Sequence, residues 1–214
     1  MVSKVDICNY ALQNIGANSI TTLTEDTPEA IECNLRYDTA RKSLLELHPW
    51  NFALKRASLN KEVETPAFGY DNQFALPTDF VRMIATEEQI GFINHGSSFN
   101  GYVTISNRND FAEADNYKIE MNSSGGKILL SNDDTKKILY VFNQTSEATF
   151  APMFIELLAK GLSAAMAYRI TNNRTLAQTE RQEFEEMLRQ TKLTDAQQGT
   201  YERTEQSAFL GARN

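Results

Sequence analysis

Apolar residues recur along the chain with two different periods, and the changes between them divide it into three blocks. Cys8, Ala11, Leu12 and Ile15 fall at i, i+3, i+4 and i+7, the spacing of one helical face, so a helix is expected over 3–16. Ser3 with Asp6 three residues on has the form of a capping box, and Gly16 stands where a left-handed residue follows a helix end. After a polar connector over 17–26, Thr27-Pro28-Glu29 offers a cap, a proline at the first helical position and an acid in the first turn. Cys33, Tyr37, Ala40, Leu44 and Leu47 then line one side of a second helix. Pro49 ends it, because the residue before a proline is pushed out of the α region.

From Trp50 the texture changes. Phe80–Thr86, 101–107, 117–122, Lys127–Ser131 and 137–144 are short runs rich in β-branched and aromatic residues. Ser123-Ser124-Gly125-Gly126 and Asn132-Asp133-Asp134 separate the last three, which predicts a hairpin or meander, and 94–101 reads as an exposed loop. The block is too short and too broken by turns for a parallel α/β sheet. Helical spacing returns at Ala151-Pro152. Phe154, Leu157, Leu158, Leu162, Ala165 and Met166 form a broad apolar face, and Gly161 permits a close helix approach. Asn172-Asn173 interrupts it, and Thr175 opens another helix in which Phe184, Met187 and Leu188 share a side, ending near Gly199.

The fold class expected is therefore α+β, an antiparallel helical bundle built from the N- and C-terminal helices with an inserted small antiparallel β domain. Residues 1–49 and 150–199 would form the bundle and 50–149 the insertion. Residues 200–214, with Tyr201, Phe209 and Leu210 among polar neighbours, read as an extended tail that needs something to lie on.

Composition narrows the function more than it names it. The chain has 214 residues, 41% of them hydrophobic and 23% charged, as in an ordinary folded protein. Its net charge is −7, spread as −3, −3 and −1 over residues 1–50, 51–171 and 172–214, so no segment is a basic footprint. Tight binding to a phosphate backbone needs clustered Lys and Arg, because counterion release drives it, whereas a surface that DNA slides past tolerates this balance. No run approaches the 18 apolar residues of a membrane-spanning helix, and no membrane partner is expected. The opening residues reach Asp6 without the apolar core of a signal peptide. Cys8 and Cys33 fall on apolar helical positions and are expected as buried, reduced thiols.

Chemistry-bearing patterns are weak. Cys8, Cys33, His48 and His95 lack ligand spacing, so no metal and no cofactor are expected, and the histidines read as satisfied or solvated. Gly161-Leu162-Ser163-Ala164-Ala165 lacks the second glycine of a nucleophile elbow and lies in a helix, which makes Ser163 a small residue at a helix contact. Gly125-Gly126-Lys127 lacks the rest of a phosphate loop and reads as a hairpin turn. Glu87-Glu88, Asp133-Asp134 and Glu185-Glu186 are pairs by adjacency alone, and adjacent side chains point apart. No catalytic residue is expected.

One stretch is more specific. Leu44-Leu45-Glu46-Leu47-His48-Pro49-Trp50-Asn51-Phe52-Ala53 is followed by Arg56-Ala57-Ser58-Leu59, Gly69-Tyr70, Phe74-Ala75-Leu76-Pro77, Asp79 and Arg82. With Ile7-Cys8-Asn9-Tyr10-Ala11-Leu12, Ile15-Gly16-Ala17 and Ile20-Thr21-Thr22-Leu23, this resembles the tail tubular protein A family, the head-to-tail adaptors of short-tailed bacteriophages. The resemblance covers residues 5–82 closely and the helices at 151–198 more loosely.

It implies a structural virion protein that forms a dodecameric ring beneath the portal protein. The ring extends the DNA channel, which passes DNA without specific binding, and carries the tail nozzle (tubular B-type) protein and, beyond it, tail fibres. The location implied is the virion tail, assembled in the host cytoplasm. His48, Pro49, Trp50, Phe52, Leu76, Pro77 and Asp79 carry the family motif. Trp50 and Phe52 are expected to plug the junction between helix and β block, with Pro49 setting the bend, and the other reading makes Trp50 a contact to a neighbouring subunit. The tail, through Tyr201, Arg203, Phe209, Leu210 and Arg213, is expected to dock on the portal. Two rivals remain open: a virion-associated cell-wall glycan hydrolase, needing two carboxylates about 5–10 Å apart in a cleft, and a nucleic-acid-binding packaging factor, which the missing basic patch disfavours.

Overall fold

The computed structural model describes residues 2–87 and 117–196. Within them lie four α-helices, α1 (Lys4–Asn14), α2 (Pro28–Leu47), α3 (Pro152–Thr171) and α4 (Arg174–Ala196). Six strands join them: β1 (Leu54–Lys61), β2 (Asn72–Ala75), β3 (Phe80–Thr86), β4 (Tyr117–Met121), β5 (Lys127–Ser131) and β6 (Lys136–Phe142). The protein is thus α+β with a curled antiparallel sheet. The described residues divide into two compact units, 2–54 with 141–195, and 55–87 with 117–140.

In the first unit the helix ends follow local chemistry. Ser3 Oγ accepts from the Asp6 N–H and the Asp6 carboxylate accepts from the Ser3 N–H, closing the capping box of α1. Gly16 takes φ +69°, which a β-carbon would penalise. Thr27 caps α2 through the Ala30 N–H. Helix α3 packs against both α1 and α2. Its Ser163 is wholly buried, donates to the carbonyls of Ala11 and Ala159, and accepts from Asn14, so it is a polar stitch between α1 and α3. A β-carbon on Gly161 would come within 3.1 Å of the Phe184 ring, which is why α4 can approach α3 there.

Two faces differ from expectation. Leu47 is 52% exposed and Ala165 is exposed. The buried residues of α2 are instead Ala30, Glu32, Cys33, Tyr37, Arg41, Leu44 and Leu45, so an arginine with half-buried partners, Asn143 and Gln144, occupies a position that an apolar pattern assigns to solvent.

The sheet order is β3-β6-β1-β2-β5-β4. Strand β5 pairs with β4, Met121 opposite Lys127 and Tyr117 opposite Ser131, and with β2, Asn72 opposite Ser131. The β4–β5 link is a tight hairpin, with Gly125 at φ +80° and the Asn122 side chain accepting from the Ser124 and Gly126 N–H groups. The expected meander stops there, since β6 lies between β3 and β1 rather than beside β5. The β5–β6 connection crosses to the far side of β1 to reach that place. Asn72 donates to the Asp133 carbonyl and Lys61 pairs with Asp134, which carries the chain across the ends of β2 and β1. The strand expected at 101–107 and the loop at 94–101 lie outside the described residues.

Candidate functional site

The motif around Trp50 is the best candidate for a functional constellation. Helix α2 stops at Leu47 because His48, ahead of Pro49, is extended at φ −149°, ψ 144°. In a continuing helix the Leu44 carbonyl would accept the His48 N–H; here the Trp50 indole N–H takes that place at 2.7 Å. Trp50 is only 1% exposed. Its ring meets Phe154 edge-on at 5.1 Å and His48 at 4.5 Å, and Phe52 contacts Phe154 at 4.9 Å and Phe150 at 5.6 Å. This aromatic cluster joins the end of α2 to the start of α3. A side chain so enclosed offers no surface to a neighbouring subunit.

His48 is buried and its Nε2 lies 3.0 Å from Asp195 Oδ2, near the end of α4. The Asn51 side-chain amide donates to the Asp195 carbonyl at 2.8 Å, and the Asn51 N–H points at the same carboxylate. The turn after α2 is thereby fastened to the last turn of α4. Arg41, 2% exposed, donates to Asn143 Oδ1 at 2.8 Å and to the Gln144 carbonyl, and the Tyr37 hydroxyl donates to Glu147 at 3.1 Å. Burial, with the Glu147 charge second, pushes the Tyr37 phenol above its ordinary range. None of these distant partners has a sequence signal, because each pair is brought together only by the helices packing.

In the second unit Leu76, Pro77 and Asp79 form the corner between β2 and β3. The Leu76 N–H donates to the Lys127 carbonyl at 3.1 Å and the Phe80 N–H to the Pro77 carbonyl at 3.0 Å. Asp79 accepts from Lys55 at 2.8 Å and from the Tyr140 hydroxyl at 3.0 Å, tying β1 and β6 to that corner. Partial burial opposes the effect, but these two hydrogen bonds hold the Asp79 carboxyl below its usual range. Tyr140 moves the other way, to about 12, through burial and its bond to Asp79. The structure therefore gathers His48, Pro49, Trp50 and Phe52 in one cluster and Leu76, Pro77 and Asp79 in another.

The remaining candidates for chemistry are absorbed by structural contacts. Asp133 pairs at 2.6 Å with the buried Lys136, Asp134 pairs with Lys61, Glu87 with Lys137, and Glu186 with Arg189. Lys160, half-hidden on α3, bridges Glu180 at 2.9 Å and Glu183 at 2.5 Å of α4 beside an open groove that Tyr10, Glu156 and Met187 also line. Cys8 and Cys33 are buried free thiols, and Cys8 is pushed up by its hydrogen bond to Cys33 and by burial.

Among the described residues no group of three or more His, Cys, Asp or Glu side chains could hold a metal ion, and no helix is long and apolar enough to cross a membrane. Glu88, His95 and the tail residues Tyr201, Arg203, Phe209, Leu210 and Arg213 lie outside the described residues. Neither a protein-family model nor a curated protein matches the chain.

Proposed function

We propose that this chain is a head-to-tail adaptor of a short-tailed bacteriophage, a structural virion protein that assembles as a dodecameric ring under the portal protein and lengthens the DNA channel. The carrying observation is the run of motif residues from Leu44 to Arg82. Where those residues have described contacts, they turn and fasten the chain: Trp50 ends one helix, His48 anchors to Asp195, and Asp79 ties two strands to one corner. A subunit that must keep its shape while DNA under pressure passes beside it is served by such rigid joints.

In finer detail, the reading takes the first unit as an antiparallel helical bundle, made of helices from both ends of the chain, and the sheet as a small β domain inserted between its halves. The packing of α3 on both α1 and α2 supports it. The negative balance of −7, without a basic cluster in the sequence, fits a wall that DNA slides along rather than grips. The ring's partners on this reading are the portal protein, docked by the 200–214 tail, the tail nozzle protein and, beyond it, tail fibres. Its place is the virion tail, assembled in the host cytoplasm.

Quantitative mass spectrometry of particles produced from the same genome tests the reading. A dodecamer's worth of this chain per particle is expected, retained when loosely bound proteins are washed off with salt. Its absence from purified particles would sink the proposal.

A further inference from the structure

The β1–β2 connection, residues 62–71, carries two apolar side chains in full view of solvent, Val63 at 101% and Phe68 at 88% exposed. Scattered exposed apolar residues are ordinary, but this loop is held in shape around them. Pro66 restricts Thr65 before it, Gly69 sits at φ +86°, the Asp71 N–H donates to Asn132 Oδ1 at 3.1 Å, and Asn72 donates to the Asp133 carbonyl at 2.8 Å. The loop contains Glu62, Glu64 and Asp71 and no Lys or Arg. Glu64 forms no ion pair with any described residue.

The same sheet holds a surface of opposite character. Its two edge strands, β3 and β4, flank a groove of about 370 Å³ lined by Phe80, Met83, Ile119 and Met121 together with Arg82 and Lys127. Met121 is 64% exposed. Arg82 Nε is buried without a hydrogen-bond partner, and the Lys127 ammonium lies over the Phe80 ring at 5.4 Å. Glu120 also borders the groove but is engaged by Lys118. Loop and groove lie toward opposite ends of the sheet. Asn72, just after the loop, pairs with Ser131, whereas Met121 pairs with Lys127, a separation of roughly 13 Å along β5.

An acidic loop with an exposed aromatic side chain and an apolar groove bordered by Arg82 and Lys127 are complementary in charge. We infer that Phe68 of one copy seats in the β3–β4 groove of the next copy, with Glu64 meeting Arg82. This is a head-to-tail contact, the kind that closes a ring. The inference rests on the ring-forming reading above and names the surfaces through which adjacent copies meet in it.

Two full-length variants with one added cysteine each, Ala67→Cys beside the intact Phe68 and Met121→Cys, test it when mixed under mild oxidation, both alone at high concentration and on the portal protein. The native Cys8 and Cys33 are fully buried and do not interfere. The mixture should yield disulfide-linked dimer roughly tenfold above either variant alone, and Glu64→Arg in the Ala67→Cys chain should cut that yield roughly tenfold. Arg82→Glu in the Met121→Cys chain should restore it, which separates a broken contact from a misfolded variant. No excess dimer in the mixture overturns the contact even when the unmodified chain binds the portal. Excess dimer from a chain that ignores the portal upholds the contact and overturns the adaptor reading instead.

Discussion

Trp50→Ala is the substitution that the fold should resist least. The side chain is 1% exposed, packs against His48, Phe52 and Phe154, and closes the C-terminus of α2 through its bond to the Leu44 carbonyl. Truncating a buried aromatic of this size costs about 3–5 kcal/mol, and leaving the carbonyl without its donor adds about 1 kcal/mol. Trp50→Phe retains most of the ring contact and loses the indole donor, so about 1–2 kcal/mol is expected. With a urea m-value of about 2.5 kcal/mol/M, the midpoint should fall by roughly 1.6–2.4 M for alanine and roughly 0.4–0.8 M for phenylalanine. Trp50 is the only tryptophan, so unfolding is followed by far-ultraviolet circular dichroism, which reports the helices. A midpoint shift under about 0.5 M for Trp50→Ala, or equal shifts for the two variants, would refute the argument that this ring joins α2 to α3.

Four further outcomes follow from the contacts. Asp195→Ala removes one hydrogen-bond partner of buried His48 and should cost about 1–3 kcal/mol, read as a lower thermal midpoint. Lys136 and Ser131 hold the Asp133 carboxyl below its ordinary value, so its contribution to stability is complete above about pH 4 and disappears as the pH falls through the depressed value; Asp133→Asn should therefore lose its stability deficit relative to the parent chain as the pH falls below about 4, and a deficit independent of pH would contradict the pairing. Gly161→Val drives a branched side chain into the Phe184 ring and should destabilise by about 1–3 kcal/mol, whereas an unchanged melting curve would mean that α3 and α4 do not meet there. Ser163→Ala should lower stability by about 1 kcal/mol through the lost bonds to Ala11 and Asn14.

How much of this was legible in the sequence depended on whether the cause was local. The capping box at Ser3, the Thr27-Pro28 start, the left-handed Gly16 and the stop at Pro49 are each decided within a few residues, and all are found where the pattern puts them. Strands β1 and β2 were missed because Leu54–Lys61 is mostly polar and Asn72–Ala75 is only four residues long. They are strands by virtue of their neighbours, Lys61 opposite Phe74 and Phe74 opposite Leu129. The position of β6 was illegible for the same reason, since it lies beside β1 and β3, far from it in sequence. Buried charge was the other blind spot. No local signal marks Arg41 or Lys136 for burial, and a partner of Arg41, Asn143, is 102 residues away. His48 was readable as a satisfied histidine, but its partner, Asp195, is 147 residues away.

The most direct test of the adaptor account is the solution mass of the purified full-length chain by light scattering, alone and mixed with the portal protein encoded by the same genome. The account predicts a small species alone and a stable complex on the portal whose added mass equals a ring of this 24.2 kDa chain. A chain that stays at its own mass in the presence of assembled portal would contradict it.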